Sequence, residues 1–228
     1  MTEIKSLCVY CGSRTGNNKN FQSLAEDVGK LLGQNKIELI YGGGNVGLMG
    51  IIASSVMENG GTVHGIIPGH LDEIEKSHDK ITKLTVVDNM HQRKRMMFDH
   101  SDAFLVLPGS IGTLDETIEA ITWKQLGLHD KPIVLLNSEN YWDPFLALMN
   151  NIIDFEFTLA KTMNLFEVVK SAAEVLPLLK SLPEPEIDPK NTLFSDSGLP
   201  CFGIKWYVAP NKWELIYNSC RPPTEDKN

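Results

Sequence analysis

The stretch that most limits what this chain can fold into is Asp102 to Glu119, DAFLVLPGSIGTLDETIE. Its apolar run, Ala103 to Leu107, is too short for a helix and aliphatic enough for a strand buried on both faces, and Pro108-Gly109 closes it. Ile118, Ile121 and Leu126 then recur at roughly helical spacing, so a helix is predicted from about Gly112 with acids in its first turn. A buried strand, a glycine turn and a helix N-terminus together make an anion cradle. The glycines let the backbone approach closely, the N–H groups point outward, and the helix dipole favours a phosphate. Glu116 then stands one turn inside the rim. Bound phosphate repels a carboxylate at that distance, and chemistry on the adjoining sugar supplies a reason for one to be there.

The same unit recurs along the chain. Ser6 to Tyr10 reads as a strand, Cys11-Gly12-Ser13-Arg14-Thr15-Gly16 as a glycine turn, and Phe21, Leu24, Val28 and Leu31/Leu32 as one helix face. Ile37 to Tyr41 is a second strand, followed by the loop Gly42 to Gly50 and a helix over Ile51 to Glu58. Alone, such a loop is open to two readings, structural turn or phosphate site. Further strands are predicted at Thr62 to Ile67, Lys83 to Val87, Pro132 to Asn137 and Leu165 to Val169, with helices over Met90 to Phe98, Trp142 to Asn151 and Ser171 to Ser181; Leu71 to Glu75 fits a short helix or a loop. Strands alternating with helices predict an α/β fold, a Rossmann-like doubly wound parallel sheet with ligands at the carboxyl ends of its strands. In the helix over Met90 to Phe98, Arg93 and Lys94 stand near the positive end of the dipole. Either an anion compensates them or they form a solvated basic face. The same helix carries more methionine and phenylalanine than one buried stripe needs, which predicts an interface and a two-fold partner.

The character changes at Leu182. Pro183, Pro185 and Pro189 interrupt the chain, and Gly203 to Val208 and Trp213 to Tyr217 flank Ala209-Pro210-Asn211-Lys212 in a hairpin-like pattern. The division is a domain over residues 1–182 and an extension over 183–228, whose Trp206 and Trp213 either dock it on the domain or act at the substrate. The net charge of -8, from 21 basic and 29 acidic residues, with no basic run beyond Arg93-Lys94-Arg95, argues against nucleic acid as a partner. MTEIKSLCVYCG lacks the charged start and long apolar segment of a signal peptide, and no run approaches the length of a membrane span, so the chain reads as cytoplasmic. Cys8, Cys11, Cys201 and Cys220 are too few and scattered for a disulfide scaffold, and the six histidines show no close ligand-spaced pair, so no metal and no cofactor is expected.

Pro108 to Glu116, taken with Met90-His91-Gln92-Arg93-Lys94, resembles the two signature motifs of the LOG family, the cytokinin riboside 5'-monophosphate phosphoribohydrolases, written PGGxGTxxE and MHxRK. Tyr41 to Gly50 and Ile67-Pro68 to His78 look like further family segments, so the resemblance spans about residues 4–182. Ser110 stands where the motif has its second glycine: either the loop avoids positive φ there, or Ser110 strains it. Older labels for the family read lysine decarboxylase, but the sequence offers no cofactor-lysine context.

The resemblance implies a dimeric Rossmann-like enzyme that hydrolyses the N-glycosidic bond of an adenosine-type nucleoside 5'-monophosphate to free base and ribose 5-phosphate. Glu116 matches the motif glutamate and takes the oxocarbenium-stabilising, water-orienting role that such cleavage needs. Arg93 matches the motif arginine and, being permanently charged, is assigned to the phosphate, the ribose or the departing base. Lys94 assists electrostatically. Gly109, Ser110, Gly112 and Thr113 take the phosphate, with Ser13, Gly43 and Gly44 on the facing turns, and Glu75 and Met90 lie toward sugar and base. A broader purine or AMP nucleosidase, and a nucleotide sensor without turnover, are the alternatives.

Overall fold

The structure is a computed structural model and describes residues 4–71 and 80–182. Seven parallel strands form one sheet: β1 (Ser6–Tyr10), β2 (Glu38–Tyr41), β3 (Val63–Pro68), β4 (Lys83–Val87), β5 (Ala103–Val106), β6 (Ile133–Leu136) and β7 (Glu167–Val169). Their spatial order is β4-β3-β2-β1-β5-β6-β7. The chain therefore winds outward from β1 to β4, crosses back, and winds outward again from β5. Leu7 pairs with both Leu39 and Ala103, which places the switch point between β1 and β5. The predicted doubly wound sheet is what forms, because β1 and β5 are buried at every position and must be covered on both faces.

Helices α1 (Lys19–Asn35), α2 (Gly47–Glu58) and α6 (Ala172–Ser181) cover one face with Phe21, Leu24, Val28, Ile52, Val56 and Leu179. Helices α3 (Met90–Asp99), α4 (Ile111–Gln125) and α5 (Asp143–Asp154) cover the other with Met97, Ala120, Ile121 and Phe145. Each fully buried aliphatic contributes roughly 1.5–3 kcal/mol, so strand ends are rigid mounts for the loops they carry.

Three expectations need correction. Helix α2 starts at Gly47, inside the glycine run, because Gly50 lies against the Asn45 carbonyl, where a Cβ would come within 2.5 Å. Helix α4 starts at Ile111 with no acid in its first turn, so Asp115 and Glu116 stand a turn deeper. The apolar excess of α3 is absorbed inside the chain: Met97 is in the core, Met96 and Phe98 pack on it, and Phe98 stacks with Phe104 at 5.5 Å. The reading of 72–75, Glu75 included, and the hairpin expected over 203–217 lie outside the described residues.

Candidate active site

The turns after β1 and β5 meet at the switch point. Gly12 N donates to the Pro108 carbonyl at 3.1 Å, and Leu48 N at the start of α2 donates to the Gly12 carbonyl at 3.0 Å. Two adjoining cavities open there and share Ser13 and Ser110. The smaller, about 100 Å³, is lined by Gly42, Met90, Arg93, Gly112, Thr113 and Glu116 among others. The larger, about 410 Å³, lies between the Gly12–Asn17 turn, Gly109, Phe21 and Tyr141.

Arg93 reaches the smaller cavity because α3 begins where it does. Asn89 caps the helix, its Oδ1 accepting from Gln92 N at 3.0 Å, and this sets Arg93 on the inward face one turn later. Its side chain is buried, and Nη2 donates to the Gly42 carbonyl at 2.8 Å. A Cβ at Gly42 would lie 1.9 Å from Nη2, so glycine there is a condition of seating the guanidinium. The solvated-face alternative therefore does not hold for Arg93. Glu116 reaches the same cavity from α4, one turn below Gly112. Its charge reaches the floor of the cavity: burial first, and Glu116 second, push the Cys11 thiol up, and burial, Cys8 and Glu116 push Tyr10 well above its ordinary value. Neither group ionises near neutral pH.

The turn after β5 differs from residue to residue. Ser110 caps α4 in an extended conformation, φ -101° and ψ -159°, so the loop avoids positive φ and the serine is unstrained. Its side chain makes no cap bond and remains available to both cavities. A Cβ at Gly112 would meet nothing within 4 Å, which leaves the first amides of α4 open to a ligand. Gly109 differs: a Cβ there would lie 2.1 Å from Thr113 Oγ1, so this glycine lets Thr113 pack beneath the turn.

Other candidates sit elsewhere. Gly43, at φ +80°, packs on Ile67, and neither it nor the buried Gly44 lines either cavity. Lys94 points away, to Asp115 Oδ2 at 3.1 Å and Glu119 Oε2 at 2.8 Å, bolting α3 to α4. Burial works against its charge, but the bonds to Glu119 and Asp115 outweigh that and raise its ammonium above the ordinary lysine value. Sequence reasoning missed Gly42, because one glycine of a run cannot be told from the next without knowing what approaches it. Tyr141 was missed for another reason. Its hydroxyl donates to the Gly109 carbonyl from a loop 32 residues away, across a turn with Glu139 and Asn140 at φ 56° and 57°.

The buried histidines are structural. His129 Nε2 bonds to the Ala120 carbonyl at 2.8 Å while Nδ1 accepts from Lys131 N at 3.1 Å; burial lowers its pKa to about 4. His64, 2.8 Å from Thr85 Oγ1, is likewise lowered to about 4, chiefly by burial. Among the described residues no group of three or more His, Cys, Asp or Glu could hold a metal ion, and no helix is long and apolar enough to cross a membrane.

A family profile described as "Possible lysine decarboxylase" matches residues 49–179. A probable cytokinin riboside 5'-monophosphate phosphoribohydrolase of Arabidopsis thaliana is 42% identical over 174 residues, 76% of this chain and 87% of the relative. The chain belongs to the LOG family. A second member, the cytokinin riboside 5'-monophosphate phosphoribohydrolase of Rhodococcoides fascians, is 40% identical over 178 residues, 78% of this chain and 90% of the relative. Among solved structures, the molybdenum cofactor binding protein from Rippkaea orientalis superposes with a TM-score of 0.60 at 20% identity, covering 79% of this chain and 98% of that one. That likeness is one of fold. The LOG-family signature residues Arg93 and Glu116, separate in sequence, both line the smaller cavity.

Proposed function

We propose that this LOG-family chain hydrolyses the N-glycosidic bond of an adenosine-type nucleoside 5'-monophosphate, releasing the free base and ribose 5-phosphate. The observation that carries it is the convergence of Arg93, which is buried, and the half-buried Glu116 on one small cavity beside the open N-terminus of α4. Cleavage of the C1'–N bond develops positive charge on the ribose, and a carboxylate below the sugar stabilises it most where charge is greatest. Glu116 has that place. It also accepts a proton of the water whose oxygen bonds to C1', and the base leaves with the bonding electron pair and takes up a proton from solvent. Arg93 cannot give up a proton, so it orients the ribose and offsets charge on the departing base. The amides at Gly112 and Thr113, with Ser13 and Ser110, hold the phosphate, and Met90 lies on the base side.

The curated relatives named as phosphoribohydrolases support this reading. The test is incubation with a panel of nucleoside monophosphates, AMP and its N6-isopentenyl derivative included, with free base read by chromatography. Release from the N6-substituted nucleotide alone identifies a cytokinin enzyme, and comparable release from AMP a broader nucleosidase. No release from any member rejects the reading.

The reading includes a homodimer in the cytoplasm. Ile111 and Phe157 are 82% and 85% exposed, and with Ile118, Leu126 and Phe155 they leave apolar surface on α4 and after α5. Gln125 Nε2 donates to Thr158 Oγ1 at 3.4 Å, which joins those two segments. Cys8 and Cys11 are free thiols, in keeping with a reducing compartment. Residues 1–182 form the catalytic domain in this proposal, and a chain truncated after residue 185 is expected to sediment as a dimer and retain cleavage.

A further inference from the structure

The two cavities differ in charge. Asp115 and Glu116 both line the smaller one, against the single guanidinium of Arg93. The larger has no carboxylate in its lining and one cation, Arg14. The other basic residue of the motif region, Lys94, is neutralised by Asp115 and Glu119. Arg93 is already bonded to the Gly42 carbonyl. Among the described residues Arg14 makes no hydrogen bond and no ion pair, and it is exposed at the rim of the larger cavity, next in sequence to Ser13, which belongs to both. With Asp115 paired to Lys94, Glu116 still sets a carboxylate against Arg93 in the smaller cavity, and a dianionic group is poorly matched there; at the Ser13–Ser110 junction, turned toward the larger cavity, it meets hydroxyls, a helix N-terminus and a free guanidinium.

We propose that Arg14 is the phosphate-reading residue of this chain: the nucleotide lies with its ribose in the smaller cavity and its 5'-phosphate at the junction, closed over by Arg14 from the larger cavity. The inference rests on the proposed phosphoribohydrolase reading for its substrate, but its test does not need turnover. The Gly12–Asn17 turn holds Arg14 in place. Gly12 is pinned through its N–H to Pro108 and through its carbonyl to Leu48. A Cβ at Gly47 would come within 2.2–2.5 Å of the Ser13 and Arg14 backbone, so α2 is packed directly under the turn. The guanidinium thus hangs from a braced backbone, with only its side chain left to order on binding.

The experiment measures binding of ribose 5-phosphate, AMP and adenine by calorimetry to the full chain and to Arg14→Gln and Arg14→Lys. A charge-assisted hydrogen bond of this kind is worth about ten-fold in affinity or more. Arg14→Gln should weaken ribose 5-phosphate and AMP by about that factor and leave adenine unchanged, with Arg14→Lys recovering part of the loss. Where AMP is cleaved, the loss should fall on KM rather than kcat, because the phosphate contact is the same in ground and transition states. Unchanged ribose 5-phosphate affinity, or an equal loss for adenine, overturns the assignment, the second by placing the base in the larger cavity. Failure of the wild-type chain to cleave any nucleotide, with ribose 5-phosphate binding still lost in Arg14→Gln, rejects the enzymatic reading and leaves this one standing.

Discussion

After β2 the chain runs Gly42-Gly43-Gly44 toward α2, and after β5 it runs Pro108-Gly109-Ser110-Ile111-Gly112 into α4. Both turns join a buried strand to a helix, on opposite faces of the sheet. Adding a Cβ separates them. At Gly42 it would strike Arg93 and at Gly43 the Ile67 side chain, so the first turn is a packing device that lets other parts of the protein come close. The second is divided: Gly109 makes room for Thr113, while Gly112 faces open space. At Gly42, Gly43 and Gly109 glycine marks the close approach of another part of the protein. Only where the protein itself supplies nothing is there room for a ligand to approach.

Substitutions can break this comparison. The largest effect belongs to the acid that the β5 turn presents: Glu116→Ala should lower base release by ~10²-fold or more while AMP still binds. An alanine variant with above about a tenth of the wild-type rate removes Glu116 from the mechanism. Next is Gly42→Ala. The clash is with the far end of a flexible side chain, so the fold should survive and Arg93 should be displaced, with a loss of about ten-fold or more in kcat/KM that approaches that of Arg93→Ala. An alanine at Gly42 without kinetic effect would show that the seat of Arg93 does not matter.

Gly112→Ala sharpens the contrast, because its two effects have opposite signs. No atom opposes the new methyl group and alanine favours the helix, so stability should rise by up to about 1 kcal/mol in thermal unfolding. The same methyl group enters the proposed phosphate site, so KM for the nucleotide should rise several-fold. Smallest is Lys94→Met: it cuts the bolt between α3 and α4, and its cost, about 1 kcal/mol, should appear in stability with a far smaller kinetic effect than Arg93→Ala.

Adjacent Arg93 and Lys94 show where sequence reading stops. Both stand one turn into α3, and nothing in the spacing tells which is buried at Gly42 and which spans to α4. Helical phase turns them about 100° apart, and what each direction meets is set by strands and helices brought there by the sheet order. Gly42 cannot be told from Gly43 and Gly44 in the sequence for the same reason. The strand ends and the seat of Glu116 were legible, because apolar runs of strand length, glycine breaks and helical spacing are local signals.

The sequence alone determined the strand–turn–helix alternation, the parallel sheet it implies, the placing of its glycine turns at strand ends and, through two short motifs, the family. Tertiary structure decided which turns meet. β1 and β5 are about a hundred residues apart and become neighbours only when the chain reverses direction after β4. That pairing sets Ser13 against Ser110, brings Tyr141 to Gly109, and leaves one arginine buried beside the carboxylate and another free at the rim. These contacts are long-range, and their energies depend on packing that no local pattern encodes.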